Sequence, residues 1–129
     1  MATLPVDLVA LDAEATLPFR QSFDRILVDA PCSGTGTLAR NPEIKWRLRE
    51  SDLESLSLKQ QRILNQALEC LSPGGVLVYA TCSLEPEENQ AVVEAVLRER
   101  TEFEAGAYQQ RIPGRDRGDG FFACRIRHR

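Results

Sequence analysis

Two short apolar runs flank one long stretch of helical periodicity, and each run ends in a turn that carries a cysteine. This arrangement constrains the fold more than any other feature of the 129 residues. Residues 23–28 read as a strand, and Ile26, Leu27 and Val28 form a continuous apolar run of the kind that suits a strand buried on both faces of a parallel sheet. The turn-rich stretch that follows, Asp29-Ala30-Pro31-Cys32 and then Ser33 to Thr37, cannot continue the strand. Over residues 51–71, Leu53, Leu56, Ile63, Leu64, Ala67, Leu68 and Leu71 recur at helical spacing, opened by Ser51 and Glu54 at capping-box spacing. Ser72, Pro73, Gly74 and Gly75 stop that helix. Residues 76–80 form the second apolar run, closed by Thr81-Cys82-Ser83. Strand, helix and strand in this order make one right-handed crossover. If the two strands are neighbours, ~4.8 Å apart, their carboxyl ends share one sheet edge. That edge is where open α/β sheets bind ligands. The spacing therefore predicts that Cys32, Cys82 and Asp29 meet in one crevice.

The remaining segments extend the same class. Residues 6–11 read as a further strand ended at Asp12. Pro86 suits the first turn of a helix running to about Arg100, with Val92, Val93, Val96 and Leu97 as its apolar stripe. Residues 103–109 and 121–126 read as two late strands. Alternating strands and helices predict an α/β domain with a mostly parallel sheet. Apolar residues make up 43% of the chain, enough for one core and one domain. No apolar stretch approaches the ~20 residues of a membrane span, and the amino terminus lacks the basic flank of a secretory signal. The expectation is a cytoplasmic protein that does not engage a membrane.

Charge and cysteine usage narrow the chemistry. A net charge of −3 argues against a generally basic nucleic-acid coat. The charge is uneven, however. From Gln109 to Arg129 six arginines stand against Asp116 and Asp119, whereas residues 1–36 hold five acids against two arginines. The cysteines Cys32, Cys70, Cys82 and Cys124 have no C-x-x-C spacing, and His128 is the single histidine, so no metal site is expected. Four free thiols suit a reducing compartment. Taken alone, Cys32 or Cys82 reads as a small core residue. Two thiols at matching strand ends are not a packing pattern. A Cys-x5-Arg phosphate loop from Cys32 would need arginine where Leu38 stands, and a Cys–His hydrolase has only His128 to use. Gly34-Thr35-Gly36 is not a P-loop, because no Gly-Lys-Ser/Thr follows. Cys70 and Cys124 are expected in the core. The long connection from Cys32 to Glu50 carries Arg40, Lys45 and Arg47, which either hold phosphates or decorate a solvated loop with Trp46 packed beneath it; core packing is expected of Trp46 ahead of a role as a base-stacking platform.

Several of these segments together resemble a known family. They are residues 23–36 with their Asp-Ala-Pro-Cys-Ser-Gly-Thr-Gly, residues 41–46 (Asn-Pro-Glu-Ile-Lys-Trp), residues 77–83 ending in Thr-Cys-Ser with Pro86-Glu87-Glu88-Asn89 after them, and Gly118-Asp119-Gly120-Phe121-Phe122. The pattern is similar to the RNA cytosine-5 methyltransferases of the Sun type, most of all to bacterial members that modify small-subunit ribosomal RNA. The resemblance spans roughly residues 6–127. The two-cysteine pairing is specific, because DNA cytosine-5 methyltransferases use one. The resemblance implies S-adenosylmethionine as methyl donor and RNA as substrate. It implies Cys82 as the nucleophile and Cys32 as the thiol that helps resolve the covalent adduct. It also implies Asp29 and Pro31 beside the base or the donor, and Asp12 near the adenosine. A cytosine that meets both cysteines must leave its stack, which single-stranded RNA permits most easily.

The chain also departs from that family. The Gly-rich loop that cradles the donor, the acid that holds its ribose and the amino-terminal RNA-binding part are not among these residues. The fold implied is a partial class I methyltransferase domain, Rossmann-like, with an antiparallel carboxyl-terminal strand. In the family order 3-2-1-4-5-7-6, residues 6–11 would be strand 3 and residues 23–28 strand 4. The strands normally between them are absent, so residues 6–11 should pair directly with strand 4, project, or find a partner chain. The exposed edge would invite a homo-oligomer. Two rival functions stay open: a non-catalytic RNA-binding fragment using the arginine-rich end, and an amino-group methyltransferase, which gives Cys82 no role. A catalytically silent piece of a methyltransferase is a third expectation.

Overall fold

The protein is described by a computed structural model covering residues 3–129. Strand β1 (Phe23–Asp29) leads through a 3-10 turn at Thr35–Thr37 and the short helix α1 (Ile44–Arg47) into the long helix α2 (Glu50–Glu69). Strand β2 (Leu71–Thr81), a 3-10 turn at Pro86–Glu88, helix α3 (Gln90–Leu97) and strands β3 (Phe103–Arg111) and β4 (Phe121–His128) complete the chain. The sheet order is β1-β2-β4-β3. β1 and β2 are parallel, and β4 is antiparallel to both its neighbours. This is the 4-5-7-6 half of the expected order, with its reversed last strand.

One face of the sheet holds the core. Val28, Leu77, Tyr79, Phe122, Cys124 and Ile126 are buried against Leu64, Ala67 and Leu68 of α2 and Val92 and Val93 of α3. Period-2 alternation on the strands meets period-3.6 stripes on the helices, so each element buries the residues its pattern offers. The opposite face carries Arg25, Leu27, Val76, Val78, Arg125 and Arg127 in register. Leu27 is 70% exposed there. The expected burial of residues 26–28 on both faces is therefore corrected: Ile26 and Val28 face the helices, and among the described residues nothing covers Leu27.

The segment before β1 also differs from expectation. Residues 6–11 form no strand, and Val6, Leu8 and Val9 are exposed. The segment does not pair with β1: among the described residues no neighbouring strand supplies the hydrogen bonds that a lone strand needs. Asp12 consequently closes no strand. It sits in a turn where its Oδ1 accepts the Glu14 backbone N–H at 2.9 Å. Phe19 returns the chain to the sheet by stacking edge-on against Phe23 at 5.2 Å. β1 is left as the edge strand.

Boundaries moved for identifiable reasons. Helix α2 starts at Glu50 rather than Ser51, and its first turn is tied by the Asp52 carboxylate accepting the Arg49 backbone N–H at 2.9 Å. The Ser51–Glu54 pair is not the capping box. The helix ends earlier than expected, at Glu69 with Cys70 as its cap, so residues 72–75 do not stop it; they form a bulge within β2, where Gly74 takes φ +78° and the pairing jumps from Leu71 to Val76. The helix expected from Pro86 is broken at Asn89, which has φ −112° and ψ −109°. Its side chain is bonded back to the Thr81–Ser83 turn instead. Among the described residues no helix is long and apolar enough to cross a membrane.

Candidate functional site

The parallel pairing of β1 with β2 sets Asp29 opposite Ala80, so the two strands release their cysteine-bearing turns side by side. Cys32 Sγ lies 3.4 Å from Cys82 Sγ. Both thiols are partly exposed and neither is in a disulfide. Burial pushes the Cys32 thiol up to about 12, and the hydrogen bond to Cys82 adds to the effect. Cys32 is thus a thiol at neutral pH, within S–H···S reach of Cys82, and either sulfur can be the donor. A direct consequence is measurable. In the folded chain Cys32 should resist iodoacetamide until the pH approaches 12, whereas in urea it should react with the ordinary thiol profile near 9. Peptide mass mapping across a pH series reads both, and half-maximal alkylation of native Cys32 at pH 9 would contradict the shift.

Backbone contacts hold the turns together. Gly36 N–H donates to the Cys82 carbonyl at 2.9 Å, and Gly120 N–H donates to the Gly36 carbonyl at 2.6 Å. A Cβ on Gly36 would stand 2.5 Å from the Gly120 carbonyl oxygen and 2.6 Å from that of Cys82. Glycine is required at this position because three backbone segments converge on it. The Gly-Asp-Gly before Phe121 is therefore a third wall of the same site.

Beneath the thiols is a buried polar cluster that the sequence did not reveal. Glu88 is fully buried and accepts from Ser33 N–H at 2.7 Å, Ser33 Oγ at 2.6 Å, Gln60 Nε2 at 3.1 Å and the Ser83 hydroxyl. Asn89 accepts from Thr81 Oγ1 at 2.6 Å and donates to the Ser83 carbonyl at 2.9 Å. Thr35 Oγ1 accepts the Leu84 N–H at 2.9 Å. Tyr79 donates its hydroxyl to the Glu88 carbonyl at 2.7 Å, and burial raises its phenol further. Polar groups withdrawn from water must be paired, and here nearly all of them are paired with one another. Glu88, Asn89 and Gln60 read as surface or helix-start residues in sequence. Only the Pro-Glu-Glu-Asn motif following Thr-Cys-Ser hinted at them.

The other expected residues are more scattered. Asp29 is exposed at the tip of β1 and, with Pro31, Leu27 and Leu11, lines a groove of about 280 Å³ along the strand's free edge. The Pro31 carbonyl accepts Gln60 Nε2 at 2.8 Å. Asp12 makes no hydrogen bond to the cysteine turns among the described contacts, and its two neighbours, Leu11 and Ala13, line the groove while Asp12 itself does not. Arg40 is paired with Asp119, through Nε at 2.9 Å and Nη2 at 2.5 Å. Lys45 Nζ lies 5.6 Å over the Trp46 ring. Trp46 is 84% exposed, which corrects the expectation that it packs in the core: α1 is a single turn that presents its indole to solvent. Cys124 is buried as expected, and Cys70 only partly. In the arginine-rich end, Arg111 and Arg115 face Asp116, and Arg127 and Arg129 face Glu104.

Comparison with known proteins gives a consistent picture. The family model described as "16S rRNA methyltransferase RsmB/F" matches residues 2–127. A curated relative named ribosomal RNA small subunit methyltransferase B, from Klebsiella pneumoniae, is 47% identical over 113 residues, covering 82% of this chain and 26% of the relative. Its counterpart in Salmonella arizonae matches equally, at 47% over the same length. The chain thus spans about a quarter of the length of the curated relatives it matches. Among solved structures, NSun6 from Pyrococcus horikoshii, determined with SFG, superposes with a TM-score of 0.83 at 27% identity over 95% of this chain and 34% of that one. A methyltransferase homologue from the same organism gives 0.71 at 31% identity, over 84% of this chain and 40% of that one.

Proposed function

The chain belongs to the RsmB/F family of 16S rRNA methyltransferases, and from that membership we propose that it carries the two-thiol part of a site that methylates carbon 5 of a cytosine in ribosomal RNA. The observation that supports this reading is the 3.4 Å approach of Cys32 and Cys82 at neighbouring strand ends. Carbon 5 of cytosine is a weak nucleophile. Addition of the Cys82 sulfur to carbon 6 makes carbon 5 enamine-like and able to take a methyl group. S-adenosylmethionine supplies that methyl as an electrophile, and the Pyrococcus relative was solved with SFG, an analogue of it. After transfer the carbon 5 proton passes to solvent water, its bonding pair restores the double bond between carbons 5 and 6, and the bond from Cys82 to carbon 6 breaks with its pair on the sulfur. Cys32 serves the second event, because its retained S–H donates to the departing sulfur.

Asp29 and Pro31 fit the donor or the base edge. They stand at the rim of a groove with an apolar wall, and the Asp29 carboxylate is free to accept an amino group. Asp12 remains a weaker candidate for the adenosine, through its neighbour Leu11. No Gly-rich strand–turn–helix segment occurs in the 129 residues. The chain spans 26% of the Klebsiella relative, and on that ground we treat the chain alone as nearly silent. The test of turnover is accordingly a chimaera in which this chain replaces the matching segment of the Klebsiella relative. Methyl transfer to small-subunit ribosomal RNA by that chimaera supports the reading, and an inactive but folded chimaera opposes it.

RNA contact is assigned to α1. Lys45 and Arg47 flank the exposed Trp46, a platform on which a base can stack between cations. Arg40 can reach a phosphate only by leaving Asp119. Stacking on an aromatic side chain contributes about 1–3 kcal/mol per base, so Trp46→Ala should weaken RNA binding by roughly tenfold in a filter or anisotropy titration. Unchanged binding would remove Trp46 from the interface. The rival reading, an RNA-binding fragment built on the arginine-rich end, is less well supported because Arg111 and Arg115 face Asp116, and Arg127 and Arg129 face Glu104. A second copy of the chain would pair, if anywhere, along the free edge of β1.

A further inference from the structure

Glu88 is the one fully buried carboxylate among the described residues, and the chemistry above makes no use of it. Its surroundings are unusual in a specific way. Oε1 accepts from Ser33 N–H and from Gln60 Nε2, and Oε2 accepts from the hydroxyls of Ser33 and Ser83. Four donors fill the acceptor capacity of one carboxylate. Ser33 follows Cys32 and Ser83 follows Cys82, so the carboxylate grips each cysteine turn one residue beyond its thiol. The two serine oxygens lie 3.5 Å apart and the two sulfurs 3.4 Å apart.

We propose that Glu88 is a positioning residue: its carboxylate cross-braces the two cysteine turns and thereby sets the distance between the Cys32 and Cys82 sulfurs. This rests on the reading of those thiols as a working pair. A neutral amide of the same shape replaces it poorly. Its oxygen can keep the bonds from Ser33 N–H and Gln60 Nε2, but its N–H₂ then faces the two serine hydroxyls, which must turn from donors into acceptors. Charge-assisted bonds to a carboxylate are also about twice as strong as neutral ones. Polar contacts inside the fold could have been satisfied pairwise within each turn. Here they converge from both turns on a single residue of a third segment.

The separation of two thiols can be read without RNA or donor. Diamide takes two electrons and two protons from a pair of thiols, and the two sulfurs close into a disulfide. In the full chain, Cys32 and Cys82 should close rapidly and independently of protein concentration. In Glu88→Gln, closure should slow at least tenfold, while iodoacetamide still modifies Cys82 within twofold of the wild-type rate and buried Cys124 stays unreactive. Those two controls separate a shifted distance from a loosened fold. Ser33→Ala and Ser83→Ala each remove one hydroxyl arm and should slow closure by an intermediate factor. They decide the matter if Glu88→Gln does not fold. Closure at the wild-type rate in folded Glu88→Gln, or in both serine variants, overturns the proposal. Slowed closure combined with an inactive wild-type chimaera would keep the brace and reject the methyl-transfer reading. An active chimaera whose thiols close equally fast in Glu88→Gln would do the reverse.

Discussion

Replacing Cys82 with alanine should abolish methyl transfer by the chimaera, lowering turnover at least about a thousandfold, as expected when the nucleophile of a covalent mechanism is removed. The expectation follows from the substrate. Without sulfur on carbon 6, carbon 5 has no enamine character, and proximity to the donor does not compensate. Binding of RNA should change little, because the phosphate and stacking contacts assigned to α1 lie on another segment. A turnover assay with labelled donor, run beside an RNA-binding titration, separates the two effects. An active Cys82→Ala protein would leave the amino-group methyltransferase reading standing, since that chemistry requires no thiol.

The second large effect has the opposite appearance. Cys32→Ala should still form the adduct but fail to release it, so turnover falls steeply while a protein–RNA species accumulates on a denaturing gel. The physical reason is the position of one proton. Cys32 keeps its S–H well into the alkaline range because burial and the neighbouring sulfur disfavour its thiolate. At 3.4 Å from Cys82 Sγ it can therefore donate to the atom that departs as an anion in the proposed step. Alanine removes that donor and leaves the methylated ring attached. Serine at the same position should restore part of the release, because a hydroxyl also donates. Loss of turnover without any accumulated species would mean that Cys32 serves the attack instead.

The fold was legible where pattern and burial coincide. Residues 23–28, 51–71 and 76–80 fell close to β1, α2 and β2, and the juxtaposition of Cys32 with Cys82 followed from parallel pairing alone. Legibility failed where a residue's environment depends on something distant in sequence. Leu27 belongs to an apolar run yet is exposed, because one sheet face is uncovered. Residues 6–11 have strand composition, but a strand needs a partner. Trp46 is expected in the core, and a one-turn helix at the surface leaves it in solvent. The largest omission was Glu88 with Asn89 and Gln60. Charged and amide side chains read as solvent-facing, and their burial becomes sensible only when Ser33, Ser83 and Thr81 supply their partners. Asp12 illustrates the same limit in reverse: a residue named for a strand end has no such role once the strand is absent.

The central claim is that Cys82 carries the cytosine and Cys32 releases it. Peptide mass spectrometry of the species trapped by Cys32→Ala tests it most directly. The account predicts a methylated cytidine adduct on the peptide that contains Cys82, and no such species in the Cys32→Ala, Cys82→Ala double variant. An adduct on any other residue, or one that persists in the double variant, would contradict it.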